Sequence, residues 1–321
     1  MKPILVTGAT GFLGRHLVDL LLRGGRQPVR VLCRAGQVEG CAVVHGDVTA
    51  ASDVRRAVEG VRSIYHLAGL VSRRPADAVR MREIHVGGTR LLLEAARDQG
   101  VERVVVASSS GTIAVSRDPA VHDEQSGYKD EVVARWPYYT TKIEQERLSL
   151  QFAAEGMDVV VVNPSLLLGP GDDRRSSTGD VVRFLEGQLL TAPRGGLNFV
   201  DVRDAAAGTL AAMERGRRGE RYLLGGPNMT CKAFLRELAA VSGRAAPRWT
   251  SPAWLAAATA PLLRVVSPLA GRKFDIDDES IRMAALFWYC DSSKAARELG
   301  FASRPHQETL RDTVAYIRGA S

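Results

Sequence analysis

The stretch Val6-Thr7-Gly8-Ala9-Thr10-Gly11-Phe12-Leu13-Gly14 decides how this chain folds. Upstream, Lys2-Pro3-Ile4-Leu5-Val6 is a short apolar run of β-type residues. Downstream, Phe12, Leu13, His16, Leu17, Leu20 and Leu21 recur at spacings of three and four, which predicts an amphipathic helix. Gly8, Gly11 and Gly14 fall between them at intervals of three. On such a turn the first glycine permits a tight reversal and the second a close approach to a phosphate. The third lets the helix pack closely on the strand, while free N–H groups at the helix start attract a diphosphate. A glycine triplet alone marks any surface turn; the strand–turn–helix context makes it a dinucleotide cradle, to which Thr10, Phe12 and Leu13 also belong.

Working outward, the alternation continues. Residues 29–33, 41–45, 63–67 and 103–107 read as further strands, with helical patterns between them, the longest over 83–97. Strands alternating with helices at this rhythm predict an α/β fold with a doubly wound parallel sheet, the Rossmann arrangement. The second strand ends in Arg34, where dinucleotide folds often place an acidic residue for the adenosine ribose, and no Asp or Glu occurs between Asp19 and Glu39. A cation there suits a 2′-phosphate, so NADP is favoured over NAD, with a merely solvated Arg34 as the plainer reading. Asp47, followed by Val48, stands at a strand end, placed either to accept from an adenine amino group or to cap the next turn. Leu67, Ala68 and Gly69 leave small residues where a ligand passes close to backbone.

The reactive side chains follow. Ser108-Ser109-Ser110 comes directly after the fifth predicted strand, at the carboxyl edge where open α/β sheets bind ligands. Tyr138 and Lys142 lie four apart on a predicted helix and therefore share a face; no other of the seven tyrosines has a lysine at that spacing. A nearby ammonium favours the phenolate and is expected to lower the phenol pKa from about 10, fitting the tyrosine for proton transfer. Tyr139 points to another face and is expected to pack.

Composition narrows the alternatives. The chain has 321 residues, 45% hydrophobic and 25% charged, room for a large α/β unit with a substantial core. Its formal charge of +7 comes mainly from arginines, since lysines number six among 43 basic residues. They are scattered without interleaved aromatics, which argues against nucleic acid and for an anionic cofactor. Four cysteines and six histidines show no metal-ligand spacing, predicting free thiols, no metal and a cytoplasmic location. The N-terminus enters a strand at once, leaving no room for a signal peptide. The apolar stretch 252–271 is interrupted by Pro261, Arg264 and Pro268, so no transmembrane segment is expected.

With these residues in hand, the chain resembles the extended short-chain dehydrogenases/reductases, closest to the dihydroflavonol-reductase-like group of the NAD-dependent epimerase/dehydratase family and to hopanoid-associated sugar epimerase-like proteins. The resemblance spans nearly the full length. It rests on the glycine turn, His66-Leu67-Ala68, Val86-Gly87-Gly88-Thr89, the serine run, Tyr138 with Lys142, and Asn163-Pro164-Ser165. Gly169-Pro170-Gly171-Asp172, the 198–204 segment and Gly219-Glu220-Arg221-Tyr222 also fit. It implies that Ser109 (Ser108 or Ser110 failing that) holds a substrate carbonyl and Tyr138 passes the proton. Lys142 then binds the ribose and depresses the tyrosine pKa, and Pro164 and Ser165 lie along the nicotinamide. Two residues depart from the pattern: His85 replaces an asparagine, with consequences for a proton relay or for helix geometry. Asp201 replaces a histidine, affecting local capping.

The expected division is a dinucleotide domain over 1–163, rejoined by 198–215, and a smaller, mostly helical substrate domain from 164–197 and 216–321. Arg174 and Arg175 sit in a polar loop, facing an anionic substrate or merely solvated. Trp249, Trp254, Leu255, Leu262, Leu263, Val265 and Val266 are expected in the core rather than in a pocket wall or on a membrane surface. A capped helix is expected from Asp291 to a glycine stop at Gly300. The implied activity is NADP(H)-dependent reduction of a ketone or aldehyde of an apolar secondary metabolite. The alternatives are a nucleotide-sugar epimerase or dehydratase that retains NAD, and a non-catalytic dinucleotide-binding regulator. Partners are a small carbonyl or alcohol substrate, with a homodimer left open.

Overall fold

The computed structural model describes residues 1–321 apart from 26, 253, 256–257, 259–277 and 320–321. Leu262, Leu263, Val265, Val266 and most of 252–271 therefore lie outside the described residues. The strands, in chain order, are β1 (Ile4–Thr7), β2 (Val29–Cys33), β3 (Ala42–His45), β4 (Ser63–His66), β5 (Arg103–Ala107), β6 (Val121–His122) and β7 (Val159–Pro164). Then come β8 (Leu166–Leu168), β9 (Ala192–Pro193), β10 (Gly196–Asp201), β11 (Arg221–Leu224), β12 (Asn228–Thr230), β13 (Thr250–Ser251) and β14 (Phe287–Cys290). The helices are α1 (Phe12–Gly24), α2 (Ala51–Val58), α3 (Ala78–Arg82), α4 (Thr89–Asp98), α5 (Asp130–Val133), α6 (Pro137–Ala154) and α7 (Gly179–Leu185). They continue with α8 (Val202–Arg215), α9 (Cys231–Ser242), α10 (Asp278–Met283), α11 (Ser293–Leu299) and α12 (His306–Ile317).

Seven strands form one wholly parallel sheet in the order β11-β7-β5-β4-β1-β2-β3. Alternate residues serve opposite faces. Val6, Val31, Tyr65, Val105 and Val160 pack under α1, α8 and α11, with Leu17, Ala205 and Leu299. Leu5, Leu32, Ile64, Val104 and Val159 pack under α2, α4 and α6, with Val54, Leu92 and Phe152. Burial on both faces is why these strands read as apolar runs and not as alternating patterns. The chain winds from β1 towards β3 in one direction and from β4 towards β11 in the other. The crevice at the carboxyl ends of β1 and β4 is therefore the topological switch point, where such sheets take ligands.

The second part of the chain is less helical than expected. It carries its own sheet, β12-β10-β14-β6, with β8 paired to β10, and a short β9–β13 pair. Phe199 of β10 stacks on Phe234 of α9, in a cluster with Leu168, Phe184, Leu238 and Leu310. The return over 198–215 is made by α8 alone, which packs on α1 and on the main sheet, whereas β10 stays in the second sheet. Conversely β11, from the segment assigned to substrate, closes the main sheet by pairing with β7. Short strands such as Asn228–Thr230 carry too few residues for their period to be recognised in sequence. Trp249 and Trp254 are 76% and 70% exposed, so they are surface and not core, and Leu255 is exposed as well. The expected C-terminal helix is present: Asp291 accepts from Ser293, and Gly300 ends α11 at φ 66°. Among the described residues no helix is long and apolar enough to cross a membrane, no three His, Cys, Asp or Glu side chains group to hold a metal, and all four cysteines are free.

Candidate active site

The carboxyl ends of β1, β4, β5 and β7 open into one cavity of about 970 Å³. Gly8 holds φ at +74°, and a Cβ there would lie 2.6 Å from the Leu67 carbonyl carbon. A Cβ on Gly14 would fall 2.1 Å from the Gly8 oxygen, so the helix packs directly on the turn. Gly11 is crowded only by the Gly8 oxygen, at 3.1 Å. It precedes α1 without a side-chain cap, and no acidic residue follows in the first turn. The first-turn N–H groups thus face the cavity as an anion cradle. The Ser108 and Ser165 hydroxyls line the same cavity, buried and without a protein partner. This donor set fits a dinucleotide. Thr10, Phe12, Leu13, Leu67, Gly69 and Pro164 also line the space.

Four of the expected cofactor residues do not line this cavity. The Asp47 carboxylate is taken by its own turn, accepting from the Thr49 amide at 2.9 Å and hydroxyl at 2.8 Å, and by Arg80 at 2.8 Å. Those hydrogen bonds and the Arg80 charge outweigh partial burial and lower its pKa. Asp47 therefore caps its own turn, the second of the two readings its sequence position offers. Val48 packs under Gly88, and the Ala68 amide donates to Thr7 Oγ1 at 3.3 Å; neither lines the cavity. Arg34 stands exposed at the end of β2, beyond the cavity wall.

Tyr138 and Lys142 project from the first turns of α6, which Pro137 opens at a position where its missing N–H costs nothing. Ser109 leaves β5 in extended backbone, its hydroxyl accepting from the Gly111 amide and lying close enough to Tyr138 to favour the phenolate. It is thus Ser109, of the three serines, that meets the tyrosine. Burial pushes the Tyr138 phenol up to about 12, the Ser109 hydroxyl opposing. The expected lowering by Lys142 is not found: burial disfavours the phenolate, and Lys142 is not among the groups that shift it. Burial instead pushes Lys142 itself down to about 8, partly offset by the Glu146 carboxylate. Tyr139 packs as expected, its ring against Gly111 and 4.9 Å from the Trp288 ring, although its edge also reaches the cavity.

Beneath the pair lies a polar layer. Lys142 Nζ donates to the Ala107 carbonyl at 2.9 Å and to Gln145 Oε1 at 2.9 Å. Gln145 donates in turn to Thr89 Oγ1 at 2.8 Å. His85 Nε2 accepts from the Leu70 amide at 3.0 Å, which puts its proton on Nδ1, facing Thr141 Oγ1 at 2.9 Å. His85 therefore fixes helix geometry, within a π-turn over Glu83–Gly88, and does not carry protons to Lys142. Burial and the Lys142 charge push His85 down to about 2, and burial chiefly pushes His66 down to about 3, so both rings are neutral. Asp201 caps α8, accepting from the Arg203 amide at 2.9 Å, and is held ionised by Arg203 and Arg304.

Sequence reading missed the supports of this site. Gln145 and Glu146 follow Lys142 by three and four positions, a spacing that places them on its face. Arg73, Met283 and Trp288, which wall the outer cavity, come from distant segments and gave no local signal.

Residues 4–225 match the NAD dependent epimerase/dehydratase family. The chain belongs to that family and to its extended short-chain dehydrogenases/reductases, NAD(P)-dependent enzymes. It is 36% identical to a Synechocystis sp. protein that carries the name dihydroflavonol 4-reductase by provisional assignment, over 98% of this chain and 94% of that one. It is 35% identical to sterol demethylase protein B of Methylococcus capsulatus, over 98% of each. Among solved structures, gox2253 superposes with a TM-score of 0.84 at 28% identity, covering 99% of this chain and 98% of that one.

Proposed function

We propose that the protein is an NADP(H)-dependent reductase that converts a ketone or aldehyde of an apolar secondary metabolite to the alcohol. The observation that carries this reading is a buried, neutral Tyr138 lining one cavity with Ser109, Lys142 and the glycine turn. When bound, the dinucleotide supplies the hydride. The Ser109 hydroxyl donates to the substrate oxygen and fixes its place. Tyr138, protonated throughout the neutral range, delivers its proton to that oxygen as charge develops there. The Lys142 ammonium, anchored by Ala107 and Gln145, retains one donor for the ribose and offsets the charge left on the phenol. Leu189, Leu197, Phe234, Ile281, Met283 and Trp288 give the outer wall its apolar character. The sterol in one relative's name accords with an apolar substrate. Arg34, with no carboxylate near it in sequence, supports the 2′-phosphate form of the cofactor.

The test is to titrate NADPH and NADH separately into purified protein, then measure NADPH oxidation with a panel of apolar carbonyls, for the wild type and Tyr138→Phe. The expected result is exchangeable NADPH binding by both proteins and turnover by the wild type alone. Turnover by the phenylalanine variant at the wild-type rate refutes the proton-donor role. Tightly retained NAD with little NADPH binding turns the reading to an epimerase or dehydratase.

A further inference from the structure

A fully buried carboxylate lies beneath the site and touches neither cavity nor substrate. Glu146 stands one helical turn beyond Lys142 and two beyond Tyr138, on the same stripe of α6. Its Oε2 accepts from Asn163 Nδ2 at 2.8 Å, and its Oε1 lies 3.0 Å from Arg221 of β11. Asn163, at the end of β7, uses the same amide nitrogen to reach the Ser109 carbonyl at 3.1 Å. Thr112 donates to that carbonyl at 2.8 Å and rests 3.2 Å from the carboxylate.

Donor counting fixes the orientation. Asn163 Nδ2 faces the Glu146 carboxylate and the Ser109 carbonyl, both acceptors, so turning the amide over would set oxygen against oxygen. A carboxylate at 146 thereby dictates which way Asn163 points, and Asn163 with Thr112 holds the backbone from which the Ser109 side chain emerges. Burying a carboxylate is costly unless it is paired, and here β11 supplies Arg221 for the purpose.

We infer that Glu146, with Arg221 as its counterion, is the positioning residue of this site: it sets Ser109 through Asn163 and Thr112, and it places a buried carboxylate one helical turn beyond Lys142. The inference rests on the reductase reading above. Lys142 is faced by His66 from β4, by His85 from the π-turn and by Tyr138 and Gln145 from its own helix. Both imidazoles are neutral, and among the described residues Glu146 is the carboxylate that acts on it. Glu146 is faced by Arg221, and by Tyr128, over whose ring Arg221 and Arg147 each lie at 4.7 Å. Arg147 is itself paired with Asp130.

Three variants separate the two roles, assayed with phenanthrenequinone, an apolar diketone, as the carbonyl probe. Thr112→Val removes only the hydroxyl held to the Ser109 carbonyl. It lowers kcat about tenfold or more, leaves the KM for NADPH unchanged and leaves the pH profile in place. E146Q lowers kcat and moves the alkaline limb of the profile down by about one pH unit, because Lys142 loses the charge that supports it. E146Q/R221Q, which removes the buried arginine left unpaired, recovers the Tm lost by E146Q but keeps the displaced limb. A wild-type kcat in Thr112→Val overturns the positioning role. An unmoved limb in E146Q, or a limb that returns with Tm in the double variant, overturns the electrostatic one. The pH dependence of NADPH binding, read by its fluorescence, reports the same Lys142 displacement without a carbonyl substrate. A wild type that binds NADPH but reduces no carbonyl therefore sinks the reductase reading, and the E146Q binding profile still decides the electrostatic role.

Discussion

Replacing Gly14 with alanine separates crowding from helix propensity, and the two effects have opposite signs. Taken alone, Gly→Ala in a helix favours folding by about 1 kcal/mol. At Gly14 the new Cβ would stand 2.1 Å from the Gly8 oxygen, 2.8 Å from the Gly8 carbonyl carbon and 2.9 Å from the Ala9 Cα. All three are backbone atoms with no rotamer to change, so α1 and the turn must part by about 1 Å to restore ordinary contact. Overpacking of this kind costs about 1–3 kcal/mol, and rigid neighbours put Gly14 at the upper end. The net expectation is a loss of about 1–2 kcal/mol, read as a Tm lower by about 2–6 °C. The same separation displaces the N–H groups of the cradle, and NADPH affinity falls about tenfold. Gly24 is the internal control: it ends the same helix, and nothing lies within 4 Å of its Cβ position. Gly24→Ala is expected to match or exceed wild-type Tm and to bind NADPH normally. The assay is thermal unfolding followed by circular dichroism, with NADPH titration by fluorescence. Wild-type Tm and affinity in Gly14→Ala would refute the packing argument, as would equal losses in both variants.

Two other expectations follow from charge. Arg34→Ala should weaken NADPH about tenfold while leaving NADH nearly unchanged, the exposed position limiting the loss of a charge-assisted hydrogen bond; equal weakening of both, by isothermal titration calorimetry, shows that Arg34 does not read the phosphate. His66 and His85 titrate near 3 and 2 in the fold but near 6.5 when unfolded, so the unfolded chain takes up protons first as pH falls. The stability they permit is complete above pH 6.5 and is lost towards pH 3, on the order of 1 kcal/mol per pH unit for each ring. His85→Asn should flatten the dependence of Tm on pH between 6 and 4, and an unchanged slope means His85 charges within the fold.

What is legible in the sequence is what repeats locally. A strand turning into a helix at Gly8–Gly14 carries its own spacing, and so does the Tyr138–Lys142 pair, so both stand out along the linear chain. Five of the seven parallel strands, β1 to β5, follow from the same alternation; β7 and β11 do not, and β11 is instructive. Arg221–Leu224 is four residues long and follows a helix that lies against the main sheet, and nothing in its composition says which sheet it joins. Its place is set by Val161 and Val162, sixty residues earlier, which offer β7 a free edge. The protonation of the site is illegible for a related reason. Four-residue spacing predicts that Lys142 meets Tyr138, but the sign of the shift depends on burial, to which side chains from distant segments such as His85 contribute. Asp47 shows a related limit: the sequence offers it as an adenine acceptor or as a turn cap, and its ion-pair partner, Arg80, lies 33 positions away where no local spacing reveals it.

The two displaced pKa values work together. With Tyr138 near 12 and Lys142 near 8, neutral pH leaves an uncharged phenol next to an ammonium, in a layer whose other members, His66, His85, Gln145 and Thr89, are all neutral. A phenol kept protonated by burial delivers its proton only when negative charge arises on a neighbouring oxygen, which is the moment a carbonyl accepts hydride. The ammonium then lies one helical turn away, and its attraction for the phenolate is felt after the transfer and not before it. On the proposed reductase reading, the residues stabilise charge where it develops and are held for that purpose in advance. Alcohol oxidation by the same residues would begin from the phenolate, the form that burial disfavours, so the neutral phenol supports the proposed direction, reduction.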